Sequence, residues 1–396
     1  MRRTASTRAP WHPGTLAPRH PGTVAPGTPA PYMSLTLPGT LAPYMRWSKT
    51  RSSPKYDLAG SNVLTCSVAE LPGASEAIEL FGRNDNGYQP LLEAIARRYG
   101  VRASHVTTAQ GTSGANFLVC AALIGAGDDV LVESPGYDPL LAPPRMFGAN
   151  IVRFSRTFED GWALDPSRVR AAMTSRTRLI IITNPQNPTG TLSDVEALRA
   201  VGRIAAGNGA HVLVDEVYLD ASGSDASVAA TLGDSFITTN SLTKSYGLSG
   251  LRSGWVLSSE AVAERLRQAR DVIDGTGPIV TERLSVLAFE QLNDLIARTR
   301  RLLDTNTALV RDFLHARPEL EFVYPAGGTV VFPRLRAVDN TDTLADRLMR
   351  EYETAVVPGR FFEAPAHFRL GFGGATEPLR GGLAAIGAAL DARAWA

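Results

Sequence analysis

The sequence predicts an α/β fold: a large domain with a mostly parallel central sheet flanked by helices, plus a smaller α+β domain. Three observations carry this expectation. After Met45, short β-branched runs alternate with helical patterns, the signature of strands joined by crossover helices. Leu179-Ile180-Ile181-Ile182 is apolar at every position, as a strand covered on both faces must be. The residues best equipped for chemistry fall at or just after predicted strand ends, where open α/β sheets collect their ligands.

Periodicity places strands at 106–108, 129–133, 151–154, 179–183, 211–214, 236–239 and 255–258. Helices are expected at 91–99, 113–124, 194–206, 261–270 and 281–293, and a longer one over 295–316 links two domains. From about Leu320 the chain reads as strands, a helix near 343–352 and a last helix over 377–390. This is the smaller unit, and the early segment 56–71 joins it. The expected boundaries are 75–300 for the large domain, with 46–74 and 301–396 for the small one.

Residues 1–45 differ in composition from everything that follows. Pro13-Gly14-Thr15-Leu16-Ala17-Pro18 recurs with one change at 21–26 and intact at 38–43, and Ala30-Pro31-Tyr32-Met33 recurs at 42–45. Such a segment cannot bury enough apolar surface to offset its ordering entropy. It is expected to be a disordered, proline-rich head, read as translated upstream sequence in preference to a functional arm, with the protein proper beginning near Met33 or Met45. No unbroken apolar core follows Arg2 and Arg3, so it does not read as a secretory signal.

The bulk numbers exclude several roles. A net charge of +1 over 396 residues gives no footprint for nucleic acid or an anionic membrane. The longest apolar runs, such as 117–124, are too short to span a bilayer. Two distant cysteines, Cys66 and Cys120, make neither a disulfide framework nor a metal site. A reducing cytoplasm is the simplest setting.

Lys244 is the centre of the functional reading. It lies in Ser241-Leu242-Thr243-Lys244, followed by Gly and Ser residues and then Arg252. Upstream stand Asp215-Glu216-Val217-Tyr218 and Asn184-Pro185-Gln186-Asn187-Pro188-Thr189-Gly190. Together they describe a pocket for an aromatic aldehyde that carries a phosphate. A desolvated lysine amine condenses with an aldehyde, an acid meets a ring nitrogen, and polar groups meet a ring hydroxyl. Gly111-Thr112-Ser113-Gly114 follows a strand and opens a helix, so its N–H groups face an anion. That is the protein's share of pyridoxal phosphate chemistry. Taken singly, each has an ordinary alternative: a strand-end acid or N-cap for Asp215, a plain turn at Asn187, a core ring at Tyr137, a solvated strand arginine at Arg369.

The ordered motifs resemble those of the fold-type I pyridoxal-phosphate-dependent enzymes, specifically the class I/II aminotransferases, from about Tyr56 to the C-terminus. The resemblance implies that Lys244 forms the Schiff base with the cofactor and then moves the Cα proton. It implies that Asp215 pairs with the pyridine nitrogen, that Tyr218 and Asn187 meet the ring hydroxyl, and that Tyr137 stacks on the ring. Thr112, Ser113, Ser241 and Arg252 become the phosphate contacts. Arg369, in His367-Phe368-Arg369, becomes the clamp for the substrate's α-carboxylate, with Asn187 and Gly60 beside it. Two regions depart from the pattern: Phe81 stands near the place of a tyrosine that reaches the partner subunit's phosphate, with Tyr88 displaced from it, and 58–62 is only loosely similar. The implied activity is amino-group transfer between an L-amino acid and a 2-oxo acid, in a cytoplasmic homodimer. A lyase, cyclase or oxidase using the same site is the alternative, and a non-catalytic sensor of pyridoxal phosphate or an amino acid a remote one.

Overall fold

The computed structural model describes residues 42–223, 228–325, 327–336 and 338–395 of the chain. The expectation of a disordered head therefore lies outside the described residues up to position 41. Its last residues do not: Pro43–Thr50 forms helix α1, with Tyr44 buried. The boundary at 45 is corrected to no later than 42. Proline at the first helical position leaves no N–H to satisfy, and the aromatic residues that follow pack onto the body.

After α1 come β1 (Tyr56–Asp57) and α2 (Gln89–Tyr99). The main layers then build as β2 (Val106–Gln110), α3 (Gly111–Leu123), β3 (Asp129–Ser134), α4 (Asp138–Met146) and β4 (Asn150–Ser155). They continue with α5 (Pro166–Ala172), β5 (Thr177–Thr183), α6 (Val195–Gly207), β6 (His211–Asp215), β7 (Phe236–Ser241) and β8 (Ser253–Leu257). The seven strands lie in the order β2-β8-β7-β6-β5-β3-β4. Only β8 runs antiparallel to its neighbours, so the sheet is mostly parallel, as expected.

Strand β5 shows why. Leu179 and Ile181 join the core with α3 and α4, while Ile180 and Ile182 join the core with α5 and α6. Alternate side chains point to opposite faces, and both faces are covered, so the four central positions, 179–182, are all apolar. Three helices, α1, α4 and α5, lie outside the expected set. Prolines at 139, 143 and 144 argue against a helix, yet α4 forms with Pro139 in its first turn and Pro143 and Pro144 inside.

Helices α7 (Glu260–Ile273), α8 (Ile279–Glu290) and α9 (Leu292–His315) follow. The 24 residues of α9 span roughly 36 Å. Its first turns place Leu292 and Leu295 in the core that α2 and α8 also enter, whereas Leu303, Val310 and Leu314 lie in a second core. That core is closed by the C-terminal elements. These are β9 (Leu320–Glu321), β10 (Val330–Val331), β11 (Arg334–Leu335), α10 (Asp342–Glu351), β12 (Thr354–Ala355), β13 (Val357–Pro358), β14 (Phe368–Gly371) and α11 (Thr376–Asp391). The early strand β1 pairs with β12, Tyr56 opposite Thr354. The described residues form one compact unit.

Candidate active site

The carboxyl ends of the parallel strands converge on one rim of the sheet, where ligands of such sheets bind. A cavity of about 190 Å³ opens there, lined among others by Thr112, Ser113, Asn116, Tyr137, Asn187, Asp215, Tyr218, Lys244 and Arg252. A second cavity of about 500 Å³ adjoins it and shares Lys244 and Asn62, with Tyr44 and Gly60 in its wall.

Lys244 sits on a loop pinned from both sides. Leu242 and Tyr246 are buried, and Ser245 Oγ donates to the Val217 carbonyl at 3.0 Å. Its Nζ donates to Asn62 Oδ1 at 2.6 Å and Ser61 Oγ at 3.1 Å. Burial, with Arg369 and Arg252 nearby, pulls the amine down to about 8, against the opposing pull of Tyr44 and Asp215. A sizeable neutral fraction therefore exists near neutral pH, which is what a nucleophile or base needs.

Asp215 ends β6, with Asn116 Nδ2 donating to its Oδ2 at 2.8 Å and the Val217 N–H to its Oδ1 at 3.2 Å. No cation lies within ion-pairing distance among the described residues. Burial pushes the carboxyl up to about 6, offset in part by these hydrogen bonds and by Lys244. Asn116 escaped the sequence reading. Its signal is the four-residue step from Thr112, which places both on one face of α3.

The anion-binding end is built on close backbone approach. A Cβ at Gly111 would stand 2.5 Å from Arg252 Nη2, and one at Gly254 would meet the Gly111 backbone at 2.5 Å. Only glycine lets Arg252 lie over the first turn of α3. Arg252 has no acidic partner among the described residues. Ser241 is buried behind the rim and accepts from Thr112 Oγ1 at 2.8 Å. Thr243, which shares a hydrogen bond with Ser241 Oγ, reaches the cavity in its place.

Arg369 on β14 is fully buried. Its Nη1 donates to Asn187 Oδ1 at 2.9 Å, and its Nη2 to the Ala59 carbonyl at 2.8 Å and Tyr44 Oη at 2.9 Å. Its Nε has no partner, and no carboxylate pairs with it among the described residues. Asn187 is fixed from behind: its N–H donates to Thr183 Oγ1 at 2.9 Å, and Thr183 donates to Glu133 Oε1 at 2.7 Å. The other oxygen of Glu133 pairs with buried Arg156 at 2.8 Å. This ion pair and Tyr44 were both missed in the sequence, the first because Glu133 lies on β3 and Arg156 just beyond the end of β4, 23 residues away.

Other expected residues fall as follows. Tyr218 Oη donates to Ser61 Oγ at 2.9 Å, so the loosely matching 58–62 loop supplies Ser61 and Asn62 to the site. Tyr137 borders the cavity and packs edge-on to Tyr44, ring centroids 5.4 Å apart. Phe81 is 84% exposed and Tyr88 caps α2; neither lines the two cavities.

The family model for aminotransferase class I and II matches residues 53–386. The chain belongs to the class I and II aminotransferases. Among curated proteins it is 30% identical over 355 residues to capreomycidine synthase of Streptomyces vinaceus, covering 86% of this chain and 91% of that one. A crystal structure of a PLP-dependent aminotransferase from Streptococcus suis superposes with a TM-score of 0.83 at 28% identity, covering 88% of this chain and 96% of that one. The PLP-dependent cyclase OrfR superposes at 0.77 and 26% identity, with 88% and 96% covered. This aminotransferase is thus a fold-type I enzyme of a pyridoxal-phosphate-dependent family, and its residues fit the cofactor. An unpaired buried carboxylate suits a protonated ring nitrogen, an unpaired arginine over a helix N-terminus suits a phosphate, and a lysine of lowered pKa lines the same cavity.

Proposed function

We propose that the enzyme transfers the amino group of an L-amino acid to a 2-oxo acid, with Lys244, Asp215 and Arg369 as its working residues. The observation that carries this reading is Arg369: a fully buried guanidinium held only by neutral acceptors, two of which, Tyr44 and Ala59, line the cavity that Lys244 also lines. A buried charge without a counter-ion is costly, and a substrate α-carboxylate is a counter-ion that offsets the cost.

When bound, the cofactor supplies an aldehyde for the lysine and an electron-withdrawing ring for the substrate's Cα. Lys244 Nζ would hold the aldehyde carbon and then take the Cα proton. Asp215 would hold a proton on the ring nitrogen, and Asn187 and Tyr218 would face the ring hydroxyl. Thr112, Ser113, Thr243 and Arg252 would hold the phosphate, with Ser241 setting the Thr112 and Thr243 hydroxyls. Tyr137 would cover one ring face. Arg369, aimed by Asn187, would fix the α-carboxylate so that the Cα–H bond points at Lys244 Nζ.

A second reading keeps these residues and changes the outcome to cyclisation, favoured by the likeness to capreomycidine synthase and to a cyclase. A panel of amino acids and 2-oxo acids decides between them. Transamination consumes both partners in equal amounts and releases a new 2-oxo acid. Cyclisation consumes the amino acid alone.

The active form is proposed to be a cytoplasmic homodimer, consistent with the adjacent exposed side chains of Leu80 and Phe81, with 75–300 as the large domain and α9 leading into the small one. Among the described residues no helix is long and apolar enough to cross a membrane.

A further inference from the structure

We propose that Tyr44 is a substrate-binding residue that holds the α-carboxylate together with Arg369. The proposal rests on the reading of Arg369 as the carboxylate's anchor and adds to it a hydroxyl from α1.

Helix α1 has eight residues, too few to persist without tertiary contacts. Tyr44 provides them. Its backbone N–H donates to Asp138 Oδ2 at 2.8 Å. Its ring lies 5.4 Å from that of Tyr137 and 6.0 Å from those of Trp47, Phe361 and Phe362. The ring is thereby fixed with its hydroxyl on Arg369 and its surface on the cavity that reaches Lys244.

The hydrogen-bond accounting leaves donors on both side chains. A phenol carries one O–H donor besides its acceptor lone pairs. Tyr44 Oη accepts from Arg369 Nη2, and its own O–H has no acceptor among the described residues. Arg369 keeps an unpartnered Nε–H. Two neighbouring side chains, one cationic and one neutral, thus keep unspent donors, and Tyr44 forms part of the wall of the cavity that Lys244 lines. A carboxylate has two oxygens, so one can take the guanidinium and the other the phenol. Gripping both stops rotation about the bond from Cα to the carboxylate, which a single anchor does not.

The test is Tyr44→Phe in the full-length holoenzyme, which keeps the ring packing and removes the hydroxyl. The probes are 2-aminoisobutyrate, which lacks a Cα–H, and isopropylamine, its counterpart without the carboxylate, both read from the cofactor's absorbance. We expect 2-aminoisobutyrate to bind ~10–100-fold more weakly, the scale for a hydrogen bond to a charged group. Isopropylamine and cofactor affinity should be unchanged. Unchanged binding of 2-aminoisobutyrate, or an equal loss for isopropylamine, overturns the proposal. If the variant does not fold, hydrogen exchange of residues 43–50 in the wild type decides: added protection with 2-aminoisobutyrate alone supports it, and the same response to both probes or to neither overturns it. Arg369→Lys is measured alongside. If that variant also binds 2-aminoisobutyrate like the wild type, the reading of Arg369 falls; if Tyr44→Phe alone is silent, only this proposal does.

Discussion

Asn187 Oδ1 accepts a hydrogen bond from Arg369 Nη1 at 2.9 Å, across 182 residues of chain. The contact ties the turn after β5 to strand β14 and fixes the plane of the guanidinium. Both side chains are buried, so the bond is not in competition with water.

Arg369→Lys keeps the charge and loses the planar fork. It should lower kcat/KM for α-amino acids at least ~10²-fold, from loss of a charge-assisted contact and of the orientation it imposes. Cofactor affinity should hold, because the hydrogen bonds of Arg369 go to Asn187, Ala59 and Tyr44 and none to the residues of the phosphate end. Steady-state kinetics and cofactor titration check the two halves separately.

Gly111 has φ +68°, and a Cβ there would stand 2.5 Å from Arg252 Nη2. Gly111→Ala should therefore strain the backbone and displace Arg252. We expect cofactor affinity to fall by ~10-fold or more, from strain of this kind, measured by titrating the apo-protein. The melting temperature of the apo-protein should fall less than that of the holoenzyme.

Asp215 carries a sign that can be checked. Burial raises it from 3.8 to about 6, so without cofactor the folded chain binds this proton more tightly than the unfolded one. The stability it contributes is full below pH 3.8 and is lost as pH rises through about 6. Asp215→Asn should stabilise the apo-protein above about pH 6 by up to ~3 kcal/mol, with no gain near pH 4. The same variant should lose most turnover, since a neutral side chain does not hold a proton on the ring nitrogen. Denaturant titrations at several pH values read the first effect.

Much of the fold was legible because the sheet is buried on both faces: its strands are rich in β-branched and other apolar residues, and Leu179–Ile182 is apolar throughout. The site residues were legible where they follow strand ends in short motifs, as at Asp215, Lys244 and Asn187. Tyr44 was not, because it sits inside a repeat whose composition argues for disorder, and its partners Arg369 and Asp138 are distant in sequence. Asn116, Ser61 and the Glu133–Arg156 pair were hidden for the same reason, since only the fold brings their partners together. Prolines hid α4.

Deletion of residues 1–45 looks harmless from composition alone. The position of Tyr44 reverses that expectation. The truncated chain should show a raised KM for amino acids, by ~10-fold or more if the phenol is a charge-assisted contact. Kinetics on the truncated and full-length proteins compare directly.

The most direct test of the central claim is borohydride reduction of the holoenzyme followed by peptide mapping. The amine of Lys244 is the half-buried nucleophile of lowered pKa at the cavity. The account predicts a yellow protein whose colour is lost on reduction, with the cofactor's mass fixed on Lys244, and no such adduct in Lys244→Ala. An adduct on a different lysine, or a reconstituted protein that retains no cofactor, contradicts it.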